Sequence, residues 1–315
     1  MTSPQPRRLQ RLAEELEESG LPSLDDDELL AMVLEELDHA LRPDVHERHV
    51  PSSGTLLEPR ASSALWSDRT ELDITHTPVG AMPLIDARRF VDGLSSWLVR
   101  RRAEPGDEWL LFDRPAGSER DVVILATALE GTVVQRHPSG VVRLVGAFGV
   151  LRFEGLRWHH EPPVSTWTEA LGAEGPGDIA VLEAILRLAV HDLGALGVGA
   201  TLVYRSGNGR RPWVEEPLPP PLPLRIGRSS HLAPLRHAIA QVDGAAVFDA
   251  DGILRQLGAR LVPSPEAERT VGPWRGTRHT AALRYSHDDP AATVVVVSED
   301  GPVSVLRGGE IVRPR

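Results

Sequence analysis

The sequence contains neither cysteine nor lysine: all 34 basic side chains among its 315 residues are arginines. Without cysteine the chain has no disulfide, no thiolate nucleophile and no cysteine-ligated zinc. Without lysine it has no Walker A phosphate loop, which needs Gly-Lys-Ser/Thr. Any contact to a phosphate must therefore come from arginine, histidine, a hydroxyl group or a backbone N–H group.

Long apolar runs are also missing. No run reaches the ~18–20 residues that a membrane span needs. The segment Met1–Gln10 contains two arginines but no apolar run follows them, which is not the pattern of a secretory signal. We therefore expect a cytoplasmic protein without a membrane partner.

Positive charge is scarce in the first half of the chain. The net charge is −11, and residues 178–315 carry 16 arginines against 15 acidic residues, which leaves 18 against 30 in residues 1–177. Non-specific binding to DNA depends on basic side chains that neutralise phosphates. The acidic half argues against a nucleic-acid partner. The composition, 41% hydrophobic and 25% charged, is typical of a soluble globular protein, and the length predicts about two domains.

Changes of pattern along the chain predict three structured parts. Residues 1–43 form a helical N-terminal segment, because leucines recur there at helical spacing. After a linker over 44–62, a smaller α/β domain occupies 64–160. A second linker over 161–177, rich in proline and glycine and with a short helical turn as an alternative, leads to a C-terminal domain over 178–315.

Within 64–160, the apolar spacing from Phe90 to Leu98 predicts an amphipathic helix over 87–102. Strand-like runs follow, one of them over 122–126. Their alternation with short Gly/Pro turns predicts an antiparallel sheet. None of its residues combine into a site with obvious chemistry.

The C-terminal domain alternates helices and strands, which is typical of an α/β (α+β) fold. The predicted elements are a helix over 178–190, a strand over 200–204, a helix over 229–240, a hairpin over 246–257, a helix opened by the run 276–279, a strand over 293–297 and a last strand over 303–306.

Two motifs of this domain combine groups that suit a nucleotide. Asp243 stands at the start of a strand, where its carboxylate can hold a divalent metal together with a second one such as Glu299. Gly244 and Ala245 let a flat base or ribose approach the backbone. The run 276–279 opens a helix and offers N–H groups, a hydroxyl, a guanidinium and an imidazole to phosphates. Each piece is weak alone, and their order makes the signal specific.

That order resembles the diadenylate cyclase family, the DisA-type nucleotidyltransferase domain that makes cyclic di-AMP. The family motifs Asp-Gly-Ala and Gly-Thr-Arg-His-Arg stand here as Asp243–Ala245 and Gly276–Thr280. Further family elements are matched at 261–264, 297–300 and 304–309. The resemblance covers about 178–312 and implies a central mixed, twisted sheet flanked by helices.

The chain departs from the family pattern at two places. Thr280 replaces the third basic residue of the second motif, which keeps a hydroxyl but removes one cation near the phosphates. Ala240-Gln241-Val242 replaces the Pro-Leu-His that often precedes Asp-Gly-Ala. Both changes concern the rate or the substrate preference more than the fold.

The resemblance implies that each domain binds one ATP and that two domains meet face to face. Each 3′-hydroxyl then attacks the α-phosphate of the other ATP, and pyrophosphate leaves twice. By the same resemblance, Asp243, Arg278 and His279 are catalytic, and Asp243 and Glu299 hold Mg²⁺ or Mn²⁺. The implied ATP contacts are Gly244, Ala245, Val262, Gly276, Thr277, Arg278, His279, Thr280 and Ser298.

Alternative interpretations stay open at this point. One is a catalytically inactive protein that senses ATP or cyclic di-AMP, which the departures at 280 and 240–242 favour. Another is a nucleotidyltransferase that uses mixed nucleotides. The domain over 64–160 is interpreted as a sensor or regulatory domain with an unknown ligand, or as a scaffold that orders dimerisation.

Overall fold

The protein is described by a computed structural model that covers residues 7–22, 24, 26–172, 179–205, 214–215, 218–299 and 302–314. By its internal contacts the chain divides into two compact units, Met1–Pro162 and Pro163–Arg315. Within the described ranges, each helix is too short or too polar to cross a membrane.

The N-terminal unit is a sheet with helices on both faces. Its strands are β1 (Ser53–Leu57), β2 (Ile74–Pro78), β3 (Ser96–Arg100), β4 (Glu108–Phe112), β5 (Thr132–Arg136), β6 (Val142–Gly146), β7 (Gly149–Glu154) and β8 (Arg157–Glu161). Its helices are α1 (Arg7–Glu18), α2 (Asp27–Leu41), α3 (Trp66–Thr70), α4 (Leu84–Ala87) and α5 (Glu119–Leu129). The strand order is β2-β4-β3-β1-β5-β6-β7-β8. Strands β1 and β3 run parallel, and the other neighbours are antiparallel.

Alternation along the strands builds two apolar layers in this unit. On one face, Val133 and its neighbours pack with α3 and α5. On the other face, Val134 and its neighbours pack with α1 and α2. Side chains of successive strand residues point to opposite faces, so one sheet serves both layers. The helices of 1–43 therefore belong to the same compact unit as the sheet.

The helix expected over 87–102 is wrong. A 3₁₀ turn follows α4 and ends at Phe90. The carboxylate of Asp92 accepts hydrogen bonds from the N–H groups of Leu94–Ser96 at 2.7–2.9 Å, and Gly93 has a φ of +68°. This turn reverses the chain, and the buried residues that follow form β3 beside β1.

Two further expectations for this unit are wrong. The residues 122–126 lie in α5, not in a strand. Ser118 and Asp121 form a capping box that starts this helix. The linker expected over 44–62 contains β1, which lies between β3 and β5 within the sheet. The unit therefore does not begin at residue 64.

The C-terminal unit has the predicted mixed sheet with helices on both faces. Its strands are β9 (Ala200–Arg205), β10 (Val214–Glu215), β11 (Ala245–Phe248), β12 (Leu254–Leu261), β13 (Ala292–Val297), β14 (Val303–Arg307) and β15 (Glu310–Val312). Its helices are α6 (Val164–Leu171), α7 (Ile179–Arg187), α8 (Ser229–Ile239), α9 (Pro265–Thr270) and α10 (Thr277–Asp288). Helix α6 lies within the linker expected over 161–177 and confirms the short helical turn given there as the alternative. Residue 178, the expected start of α7, lies outside the described residues.

The strand order in this unit is β10-β12-β11-β9-β13-β14-β15, with β9 and β11 parallel. Helices α6, α7 and α8 cover one face and α10 covers the other. The register pairs Ala245 with Thr201 and Ala200 with Val297. The starts of β9 and β11 and the end of β13 therefore share one end of the sheet, where both sequence motifs lie.

Candidate functional site

A cleft of about 1290 Å³ opens at this end of the sheet, and both motifs line it. Eight of the residues predicted from the sequence are in its lining: Asp243, Gly244, Ala245, Val262, Gly276, Thr277, Arg278 and Thr280. Of the other predicted residues, His279, Ser298 and Glu299 lie behind or beside the cleft, outside its lining. The lining also contains residues that the sequence analysis missed: Thr201, Glu215, Arg260, Glu268, Arg275 and Arg284.

Asp243 presents an exposed carboxylate to the cleft. Within the described parts of the chain, no hydrogen bond or ion pair reaches it. The other cleft acids differ, because Glu215 faces Arg260 at 3.6 Å and Glu268 faces Arg284 at 3.9 Å. Asp243 is therefore the cleft carboxylate that is available to a ligand or a cation.

Gly244 and Gly258 cross each other at the wall of the cleft. Their φ angles are +105° and +72°, in the region that favours glycine. A Cβ on Gly244 would lie 2.7 Å from the carbonyl carbon of Gly258. From the sequence, we expected Gly244 to let a base or ribose approach the backbone. The structure adds that two strands approach each other closely at this point, where neither has a side chain.

The N-terminus of α10 opens onto the cleft. Its N-cap is Gly276, which has no side chain that could cap the helix. Among the residues that the structure describes, a Cβ at Gly276 would meet nothing within 4 Å, so these residues leave the space in front of the first turn open. Helix N-termini carry partial positive charge and free N–H groups. The motif thus offers an anion site, with Thr277 exposed beside it.

Arg278 lies over Gly199, directly before β9. Its Nη2 atom is 3.8 Å from a carboxylate oxygen of Glu299. A Cβ on Gly199 would come within 2.4 Å of Nη1 of Arg278 and 2.8 Å of Cγ of Glu299. The guanidinium therefore occupies space that only a glycine at 199 leaves, and Glu299 holds it from the side.

His279 lies behind the cleft wall and is 8% exposed. Its Nε2 atom is 3.5 Å from the hydroxyl oxygen of Ser298, and its ring meets Trp274 edge to face with centroids 5.2 Å apart. Burial lowers the pKa of His279 below its ordinary value of 6.5, and the cations Arg275 and Arg278 lower it further. The imidazole is therefore neutral at pH 7.

We expect the His279 resonance to titrate below pH 6.5 when the histidine ring protons of the full chain are followed by NMR. Because the pKa of His279 is lowered on folding, the unfolded state takes up the proton first. This contribution to stability is present above pH 6.5 and is lost as the pH falls through that value toward the folded pKa. His279→Gln assigns the resonance among 12 histidines, and Arg275→Ala should move its pKa back toward 6.5. Titration at or above 6.5 would contradict the burial seen here.

Thr280 lines the cleft, but its hydroxyl is used inside the protein. It donates to the carbonyl oxygen of Trp274 at 3.0 Å and accepts from the Trp274 N–H group at 3.1 Å. The resemblance implied that this hydroxyl contacts ATP. The geometry instead shows it tying the loop in front of α10 to the first turn of the helix.

One residue of the cleft, Asp243, fits the role of a metal ligand. Among the described residues no group of three or more histidines and carboxylates is arranged to hold a metal. Mg²⁺ usually keeps several waters and is bound through one or two carboxylates plus substrate phosphates. The unpaired carboxylate of Asp243 fits that mode. Glu299 lies against Arg278, so its contacts in this structure are those of a positioning group.

Comparisons with known proteins match the two units separately. Residues 10–161 match the family model described as the probable sensor domain DACNK, and residues 187–311 match the DAC model, described as DisA bacterial checkpoint controller nucleotide-binding. None of the curated proteins compared matches the chain.

Two of the solved structures that match cover less than half of the chain. One is described as a hypothetical membrane spanning protein from Bacillus cereus: it is 20% identical, covers 44% of this chain and 71% of its own, and has a TM-score of 0.33. Another is a double mutant of DacA from Staphylococcus aureus, with 21% identity, 43% and 86% coverage, and a TM-score of 0.30. On the family matches, the chain carries a C-terminal domain of the DAC family, the DisA-type nucleotide-binding domains, preceded by a DACNK-type sensor domain.

Proposed function

We propose that the C-terminal unit is a diadenylate cyclase, which condenses two ATP into cyclic di-AMP and two pyrophosphates, and that the N-terminal unit regulates it. The observation that carries the proposal is one cleft with two complementary features. The unpaired carboxylate of Asp243 lies on one wall, and the uncapped N-terminus of α10 lies on another with Arg278 beside it. This pairing suits a nucleoside triphosphate whose ribose faces the carboxylate.

Phosphate binding falls to the second motif. The N–H groups of the first turn of α10 and the hydroxyl of Thr277 donate to phosphate oxygens. Arg278, held by Glu299, adds a guanidinium that neutralises charge as pyrophosphate departs. His279 is neutral and buried, so it brings no charge into the cleft. Its role is to position Ser298 and the aromatic ring of Trp274 from the protein side of the cleft wall.

Asp243 acts on the ribose side. Its carboxylate accepts the hydrogen bond of a 3′-hydroxyl and takes up the proton as the oxygen bonds to phosphorus. In each step a P–O bond forms to the 3′-oxygen, and the bond between the α- and β-phosphates breaks. Mg²⁺ or Mn²⁺ bound at Asp243 would neutralise phosphate charge. Positioning and charge neutralisation account for the chemistry that the chain supplies.

One cleft holds one nucleotide, so a single domain holds half of the reactants. The attacking hydroxyl and the attacked α-phosphate belong to different ATP molecules. We therefore propose that two copies of the C-terminal unit face each other with their clefts opposed. The rate per chain should then rise with protein concentration until all chains are in dimers.

The test is mass spectrometry of the full chain incubated with ATP and Mg²⁺ or Mn²⁺. We expect cyclic di-AMP, with two pyrophosphates released for each product. An altered product mass with mixed nucleotides would indicate a different nucleotidyltransferase. ATP binding by calorimetry without product under either metal would contradict turnover by the chain alone. It would favour the nucleotide-sensor alternative, which the internal use of the Thr280 hydroxyl supports.

Gly199→Ala should lower nucleotide affinity, because the new Cβ would occupy the place of the Arg278 guanidinium. Gly199 does not need a positive φ, so the backbone tolerates alanine and the side chain of Arg278 must move. We expect about a ten-fold rise in the Kd for ATP, the size of one weakened charged hydrogen bond. Gly227→Ala is the matched control, since no described residue lies within 4 Å of a Cβ there. Equal affinity of the two variants would contradict the contact.

A further inference from the structure

Arg275 differs from the other arginines of the cleft in its partners. Each of the others faces a carboxylate: Arg260 and Glu215 at 3.6 Å, Arg284 and Glu268 at 3.9 Å, Arg278 and Glu299 at 3.8 Å. In the described part of the chain no carboxylate lies within ion-pair distance of Arg275. It is exposed and lines the cleft, so its charge is available to an anion that enters.

The position of this guanidinium is fixed from two sides. It stacks over the ring of Trp274 at 4.8 Å from the centroid, and its Nη1 atom is 3.5 Å from the hydroxyl oxygen of Ser304. The backbone of Arg275 is left-handed, with a φ of +50°. Non-glycine residues take this conformation rarely, and it persists where the surroundings impose it.

Thr280 supplies the constraint on this turn. Its two hydrogen bonds to the backbone of Trp274 attach the residue before Arg275 to the first turn of α10. Relative to the family motif, Thr280 removes one cation near the phosphates. The structure places another cation, Arg275, in the same cleft, on the loop that the Thr280 hydroxyl holds.

We propose that Arg275 binds the phosphate chain of the nucleotide and that Thr280 is a positioning residue, which holds Arg275 in place through Trp274. A planar guanidinium with free N–H donors suits phosphate oxygens. This inference rests on the proposed function for the identity of the ligand, a nucleoside triphosphate. It does not depend on turnover.

The test is calorimetric binding of 3′-deoxy-ATP, which lacks the attacking hydroxyl, to the full chain. Arg275→Ala should weaken binding about ten-fold or more and leave adenosine binding unchanged. Arg269→Ala, an exposed arginine of α9 outside the cleft lining, should change neither. Thr280→Val should weaken 3′-deoxy-ATP binding, and Thr280→Ser should restore it. The double variant that combines Arg275→Ala with Thr280→Val should bind no worse than Arg275→Ala alone.

The outcomes separate the two proposals. The role of Arg275 is overturned if Arg275→Ala binds 3′-deoxy-ATP as tightly as Arg269→Ala does. It is also overturned if Arg275→Ala weakens adenosine binding by the same factor as 3′-deoxy-ATP binding. Neither result overturns the cyclase. If binding depends on Arg275 but ATP gives no product, the cyclase fails and the phosphate contact stands. Absence of binding to the unmodified chain overturns both. Equal affinity of Thr280→Val and the unmodified chain, with both folded by circular dichroism, overturns the positioning role.

Discussion

Asp243→Asn is expected to lower the rate of cyclic di-AMP formation by about 10³-fold. Asparagine keeps the shape of the side chain but removes the charge and the proton acceptor. Within the described residues nothing else pairs with this carboxylate, so no neighbour takes over its role. The affinity for 3′-deoxy-ATP should change far less, because α10 and the arginines hold the phosphates.

The matched control is Asp251→Asn, an exposed carboxylate in the turn between β11 and β12 and outside the cleft lining. Both variants remove one negative charge from the same unit. Product formation is followed by mass spectrometry at saturating ATP. Equal rates for the two variants would show that Asp243 does not act in the reaction.

Glu119→Ala is expected to destabilise the N-terminal unit by about 3–5 kcal/mol. The Glu119 side chain is fully buried, accepts two hydrogen bonds of 2.5 Å from Arg152, and lies 3.5 Å from Nε of Arg143. Removing the carboxylate leaves two buried guanidinium groups without their shared partner. Breaking one member of a buried ion pair costs much more than breaking an exposed pair.

Calorimetry of the full chain measures this effect, with amide exchange to assign the transition to β5, β6 and β7. A loss of this size should lower the melting temperature of the N-terminal unit by about 10 °C. Arg11→Ala, which breaks the exposed pair with Glu15, should cost less than about 1 kcal/mol. A shift as small for Glu119→Ala would mean that the network contributes little.

The C-terminal elements were predictable because their signals are local. Strand β11 is a continuous apolar run, β13 contains four consecutive valines, and the second motif opens α10 as expected. The missing part of the site comes from distant segments. Arg260, Arg284 and Thr201 reach the cleft only through strand pairing and helix packing, which no local pattern reports. Arg275 directly precedes the second motif. Of the missed residues, it was therefore the one that the sequence could most easily have indicated.

The N-terminal unit was harder because its strands are short and its turns carry the decisive signals. Apolar spacing from Phe90 to Leu98 fits a helix, yet Asp92 and Gly93 form a turn in the middle of it. The capping box at Ser118 and Asp121 was readable as a helix start. Strand β1 has five residues, and its central place depends on partners far along the chain.

The crossing of Gly244 and Gly258 has an evolutionary consequence. This wall consists of peptide groups, whose chemistry does not depend on which residues flank them. A substitution of a flanking residue therefore leaves the chemistry of the wall unchanged. Adaptation of this cleft to another ligand must therefore proceed through the residues around the crossing, such as Val262 and Arg260. The two glycines preserve the shape of one wall of the cleft, and chemical variation in the cleft is left to the other lining residues.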